Sequence, residues 1–149
     1  MKKNTAEKYY RYSLIIFIVL AAVFGVIFGG FALVSYMSGE DAGSFLIAAV
    51  IMVFIWVPAI IYYLVQFLYY RKLVLTEVQT VKLEKTDTSY FRCIGFEVKV
   101  VLNGIETTVV TKHVFALGLV GPNLLDDYSG REAKIGYNAS RDEWIVIAN

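Results

Sequence analysis

The sequence predicts a membrane α plus all-β chain. A two-helix transmembrane hairpin is expected over residues 1–72, and a small five-stranded, partly closed β-barrel over residues 73–149. Three observations predict it. Two long apolar runs carry no charge, the pattern after them turns from continuous to alternating, and an Asn-Gly pair sits inside the alternating part. Apolar residues make up 58% of the 149 residues, against about 45–50% in soluble domains, and the excess lies almost wholly before Arg71.

No Asp, Glu, Lys, Arg or His lies between Arg11 and Glu40, or between Asp41 and Arg71. A helix needs about 20 apolar residues to cross the hydrocarbon layer, so spans are expected near residues 12–36 and 43–70. The first run exceeds the ~7–15-residue core of a cleaved signal peptide, and no small-x-small cleavage site follows, so a retained span is expected. Lys2, Lys3, Lys8 and Arg11 precede the first span and Arg71 and Lys72 follow the second, whereas the connecting loop holds Glu40 and Asp41 and no base. By the positive-inside rule both termini are cytoplasmic and the β domain is cytosolic, in a two-span protein of the cell membrane. Tyr9, Tyr10, Tyr12, Tyr62, Tyr63, Tyr69 and Tyr70 would form an aromatic belt at the inner headgroups.

Ala21, Gly25 and Gly29 recur every four residues in the first span. Glycine costs a water-exposed helix about 1 kcal/mol against alanine, but in lipid a stripe of small residues lets another helix come close. Ala48 and Ala49 offer small surfaces on the second span, so an intrachain helix-packing seam is expected, with a homo-oligomer or a foreign helix as the alternatives. Spans without ionisable groups argue against an ion pathway or a proton relay.

Five strands are expected in the second half. The first covers residues 73–85, with a bulge near Gln79-Thr80 where the apolar phase shifts. Residues 94–102 alternate, Asn103-Gly104 is a two-residue hairpin turn, and residues 105–115 return. That turn sets the pairs Leu102–Ile105, Val100–Thr107, Val98–Val109, Phe96–Thr111 and Ile94–His113. Residues 132–137 and 143–148 form the last pair.

The residues exclude several chemistries. His113 and Cys93 are the single histidine and the single cysteine, too few for a structural zinc site and too few for a disulfide. The expected register points Cys93 away from His113, so they do not form a nucleophile and base. Asp126-Asp127 and Asp142-Glu143 read as solvated loop acids. Asn138-Ala139-Ser140 is a glycosylation sequon that cytosolic placement would silence. No nucleotide-binding, hydrolase or zinc-protease motif occurs, and no cofactor or metal is expected. Residues 73–149 hold eight Lys/Arg against ten Asp/Glu, so no nucleic-acid footprint exists. The apolar stretch from Phe115 to Leu125 contains Leu117, Leu119, Val120 and Leu124 but is broken by Gly118, Gly121 and Pro122. It is expected to fold over the core or to touch a partner or the bilayer.

The segment Gly130-Arg131-Glu132-Ala133-Lys134-Ile135-Gly136-Tyr137-Asn138, followed by Trp144-Ile145-Val146-Ile147, is similar to an uncharacterised bacterial domain family. That family closes with a glycine, a strand ending in Tyr-Asp/Asn-Pro, a turn and a final apolar strand; Ala139 stands at the proline position. The layout also resembles that of short NfeD-like proteins. This resemblance implies an OB-like or SH3-like barrel in a bacterial membrane protein, and it transfers no catalytic residue.

The expected role is a non-enzymatic, membrane-anchored β module that binds or organises another membrane protein. The bilayer and a membrane-protein partner are its expected contacts. One alternative is a small immunity- or stress-type membrane protein acting through its helices. Another is a subunit of a composite enzyme.

Overall fold

The computed structural model describes residues 4–39, 43–85, 93–115 and 130–147. Two compact units emerge. One is Ser13–Gln66; the other joins the residues up to Tyr12 with Phe67–Asn149.

Helix α1 (Thr5–Met37) and helix α2 (Gly43–Lys72) are both long and apolar enough to cross a membrane. Each starts or ends outside its expected span, and local caps explain α1. The Asn4 Oδ1 accepts the Glu7 N–H at 2.7 Å, satisfying one of the donors a helix start leaves open. At the other end Gly39 adopts φ +74°, the left-handed conformation that closes helices at low cost.

Within the helical unit the contacts between α1 and α2 run through rings. Phe17 meets Trp56 at 5.5 Å and Tyr63 at 4.7 Å between centroids, Phe24 meets Trp56 at 5.8 Å, and Phe31 stacks on Phe45 at 5.7 Å. Phe17, Phe24 and Phe31 are spaced by seven, which keeps them on one side of a helix of 3.6 residues per turn. Gly25 is one residue from Phe24 and so lies about 100° around the helix from it. No heavy atom stands within 4 Å of where a Cβ on Gly25 or Gly29 would be, apart from the helix's own neighbouring backbone. Ala21, Ala48 and Ala49 are half-buried, whereas Gly25 and Gly29 are exposed.

The five expected extended stretches are present, but three of them are interrupted. The first divides into β1 (Thr76–Lys82) and β2 (Glu84–Lys85), the second into β3 (Cys93–Ile94) and β4 (Phe96–Leu102), and the third into β5 (Ile105–Val110) and β6 (Val114–Phe115). The last two are β7 (Glu132–Asn138) and β8 (Glu143–Ile147). They form two three-stranded antiparallel sheets, β1-β7-β8 and β2-β4-β5, and a short β3-β6 pair. Two long apolar helices followed by small antiparallel sheets are as expected, and no closed barrel is formed among the described residues. The sheets divide where the first stretch breaks. Leu83 is fully buried and exchanges backbone hydrogen bonds with Gly130 and Arg131, at 2.9 and 3.0 Å.

The Asn103-Gly104 hairpin has the expected register as far as Glu97–Val110. Both turn residues have positive φ, 52° and 83°, as a type I′ turn requires. Thr111 still bonds Phe96, through N–H to carbonyl at 2.9 Å and through its hydroxyl. Beyond it the register slips, so that Ile94 faces Val114 and not His113. The His113 ring lies against Gly95, where a Cβ would stand 2.9 Å from Nε2. The bulge in β1 falls between Thr76 and Gln79, slightly before its expected place, with Glu77 at φ +48°.

In β4 burial alternates, with Phe96, Val98 and Val100 inside. In β8 every residue from Trp144 to Ile147 is buried. Sheets alternate only when one face is wet. The helix ends join this unit at β8: Asn4 bridges Ile147, and Tyr70 reaches Glu143.

Candidate functional site

Two features of the sheet unit bear on function: a polar network at the helix ends and a cleft. The network begins with Tyr70, whose side chain is fully buried. Its hydroxyl donates to Glu143 Oε1 at 2.8 Å and accepts from Arg141 at 3.2 Å. Glu143 Oε1 also accepts the Asn138 amide at 2.8 Å, and Oε2 accepts Lys112 Nζ at 2.8 Å. Asn138 and Ser140 both hydrogen-bond the Tyr69 hydroxyl, and the Arg141 guanidinium lies 3.8 Å from the Tyr69 ring centroid. The Asn4 amide donates to the Tyr70 carbonyl at 3.0 Å, and Tyr10 stacks on Tyr70 at 5.2 Å.

Glu143 is thus not the solvated loop acid expected. It opens β8, and its side chain is 15% exposed. Burial alone would raise its pKa, but the hydrogen bonds of Lys112, Tyr70 and Asn138 outweigh burial and hold it below the ordinary carboxylate value. Both oxygens are occupied by donors, an arrangement that fixes the helix ends to the β7–β8 turn rather than freeing a base. Asn138, the sequon asparagine, is buried with its amide nitrogen engaged.

The cleft has a volume of about 870 Å³, within the usual range for ligand sites. Val78, Val101 and Val110 line it and are 53%, 56% and 47% exposed. Trp144 also lines it. Glu77 and Asp142 supply acid, and Lys112 and His113 supply base. Asp142 accepts the Tyr137 hydroxyl at 2.7 Å, which holds the Tyr137 pKa above its ordinary value.

The two edges of the β4–β5 ribbon differ. On the β4 side the Gln79 side chain acts as a missing strand: its amide donates to the Val101 carbonyl at 2.9 Å and accepts the Val101 N–H at 3.0 Å. On the other side, β5 pairs only with β4 among the described residues. Antiparallel ladders alternate, and Thr111 bonds inward to Phe96, so the N–H and C=O groups of Glu106, Thr108 and Val110 point away from β4.

No known protein family, curated protein or solved structure matches the chain. What the site does must follow from its own residues. Among them no group of three or more His, Cys, Asp or Glu is placed to hold a metal, counting described residues only. Cys93 pairs in backbone register with Phe115. Of the apolar stretch singled out in the sequence, Phe115 ends β6, while Leu117, Leu119, Val120, Leu124 and Leu125 lie outside the described residues. The cleft is not legible in the sequence because residues far apart in the chain, from Glu77 to Trp144, line it. The capping signal Asn4-Thr5-Ala6-Glu7 was available and identifies the true start of α1.

Proposed function

We propose that the chain is a non-enzymatic, membrane-anchored binding module. The helices anchor it in the cell membrane with both termini in the cytoplasm. The β unit, read as an OB-like, partly closed barrel, takes an extended segment of another membrane protein along the free edge of β5. Support for the barrel-like reading comes from the pairing order. The five stretches join first to second, second to third, first to fourth and fourth to fifth, and a parallel bridge between Thr111 and Trp144 links third to fifth.

The observation that carries the binding role is the outer edge of β5, which has no strand partner among the described residues, beside an open, partly apolar cleft. Sheet edges left in water are normally guarded by lysine, proline or a bulge. Ile105-Glu106-Thr107-Thr108-Val109-Val110 has one charge and five apolar or β-branched side chains, the composition that accepts an added strand. Proline at residue 108 tests this. The Thr108 N–H points outward, so Thr108→Pro removes the donor that an added strand needs and spares the β4–β5 ladder. In affinity purification from mild detergent, membrane proteins retained by the wild type should be lost with Thr108→Pro while the fold persists by circular dichroism. Undiminished retention would sink the reading.

A second reading has one specific observation behind it. The glycine face of α1 is open among the described residues, as a helix acting on a target within the bilayer would need. In that case Gly25→Leu with Gly29→Leu, and not Thr108→Pro, would remove the retained proteins.

A further inference from the structure

We propose that the paired helix ends form a binding surface for the headgroups of anionic phospholipids, through Lys8, Arg11, Arg71 and Lys72. The juxtaposition is made within the sheet unit. Tyr10 stacks on Tyr70 with the rings 6° from parallel, and Asn4 hydrogen-bonds the Tyr70 carbonyl. Lys8 and Arg11 lie within two residues of Tyr10, and Arg71 and Lys72 directly follow Tyr70. The stack thereby brings together the two helix ends that carry these four cations.

These cations have no ion-pair partner among the described residues. The ion pairs among the described residues are Lys99–Glu106 and Lys112–Glu143, so none of the four has a described carboxylate within 4 Å. Arg71 and Lys72 suit the carboxyl end of a helix, but Lys8 stands near the amino end of α1, where the helix dipole disfavours a cation. Helix stability therefore does not account for Lys8, whereas an anionic headgroup at the cytoplasmic face would suit it. Arg11 lies 5.5 Å from the Tyr12 ring and Arg71 5.9 Å from the Phe67 ring, an aromatic and cationic mixture suited to headgroup depth. The buried Tyr70 fixes the backbone that presents Arg71 and Lys72, so little ordering remains to oppose binding. Charge complementarity selects an acidic lipid over a zwitterionic one.

The inference rests on the reading of α1 and α2 as membrane anchors, and the test separates the two. Full-length protein in neutral detergent is titrated with phosphatidylglycerol or phosphatidylcholine, and bound lipid is counted by native mass spectrometry. The wild type should retain phosphatidylglycerol preferentially. Arg11→Gln with Arg71→Gln should lower that preference about fivefold per charge removed. Lys82→Gln with Lys134→Gln, which removes two exposed charges from the strands, should leave it unchanged. Equal retention of both lipids by the wild type overturns the proposal, as does an unchanged preference in the Arg11 and Arg71 variant. Loss of the preference in the strand variant, or displacement of the lipid by inorganic phosphate alone, overturns it as well. Alkaline extraction of cell membranes is run in parallel. Release of the protein overturns the anchoring reading itself, whereas retention without lipid preference overturns this inference alone.

Discussion

At the scale of single residues, Glu143 decides how the helix ends are held. Its carboxylate accepts from Lys112, Tyr70 and Asn138, and its pKa is lowered in the folded chain. A group whose folded pKa lies below its unfolded value stabilises the fold fully above the unfolded value. That stabilisation is lost as pH falls through the folded value. Stability should therefore be insensitive to this group at neutral pH and should decline on acidification through and below the ordinary carboxylate range. Glu143→Gln should cost roughly 2 kcal/mol at pH 7, the scale of hydrogen bonds to a charged group, and should flatten the acid limb. Chemical denaturation in detergent across pH checks both outcomes; a variant with an unchanged acid limb would show that other carboxylates set it. Gly136 shows a different constraint. A Cβ there would stand 2.7 Å from the Leu75 side chain, so glycine is needed where the chain leaving α2 crosses β7.

At the scale of elements, the rings and the glycines of α1 part company. The every-four spacing of Ala21, Gly25 and Gly29 was legible in the sequence, but so was the every-seven spacing of Phe17, Phe24 and Phe31, and the observed contact follows the latter. Large rings hold two helices together without close backbone approach, which leaves the adjoining glycine face open. Phe24→Ala and Trp56→Ala should each weaken the helical unit. Their coupling in a double-mutant cycle should be about 0.5–1.5 kcal/mol, as for other aromatic pairs; Gly25→Ala should show no coupling to Trp56→Ala. Local rules made the hairpin readable, because Asn103-Gly104 fixes its register without reference to the rest of the chain. They failed at Leu83, Gly95 and residues 111–113, where strands break to meet distant partners. Leu83 turns to Gly130 and Arg131, and Lys112 donates its backbone N–H to the Trp144 carbonyl at 2.7 Å. Glu143 was misread for the same reason: its neighbours in sequence suggest a wet loop, and its neighbours in space come from α2 and from Lys112.

At the scale of the whole molecule, the distribution of charge predicts an orientation that is open to direct test. Six of the 14 basic residues lie at the outer ends of the two helices, at positions 2, 3, 8, 11, 71 and 72, and none lies between the helices. The helix connection holds Glu40 and Asp41 instead. Since basic loops stay on the cytoplasmic side, Ser38 should face outward and Lys134 should face the cytoplasm. Both are exposed, so each suits replacement by cysteine in a Cys93→Ser background that removes the native thiol. With a membrane-impermeant thiol reagent on intact cells, Ser38→Cys should be labelled and Lys134→Cys should be labelled only after lysis. The reverse pattern would place the sheets outside the cell and would move the β5 edge and the Tyr70 cation cluster to the other face of the membrane. Labelling of neither residue in intact cells, with both reached after lysis, would mean that the apolar helices do not cross the cell membrane. The experiment therefore fixes on which side of the membrane the β5 edge is presented.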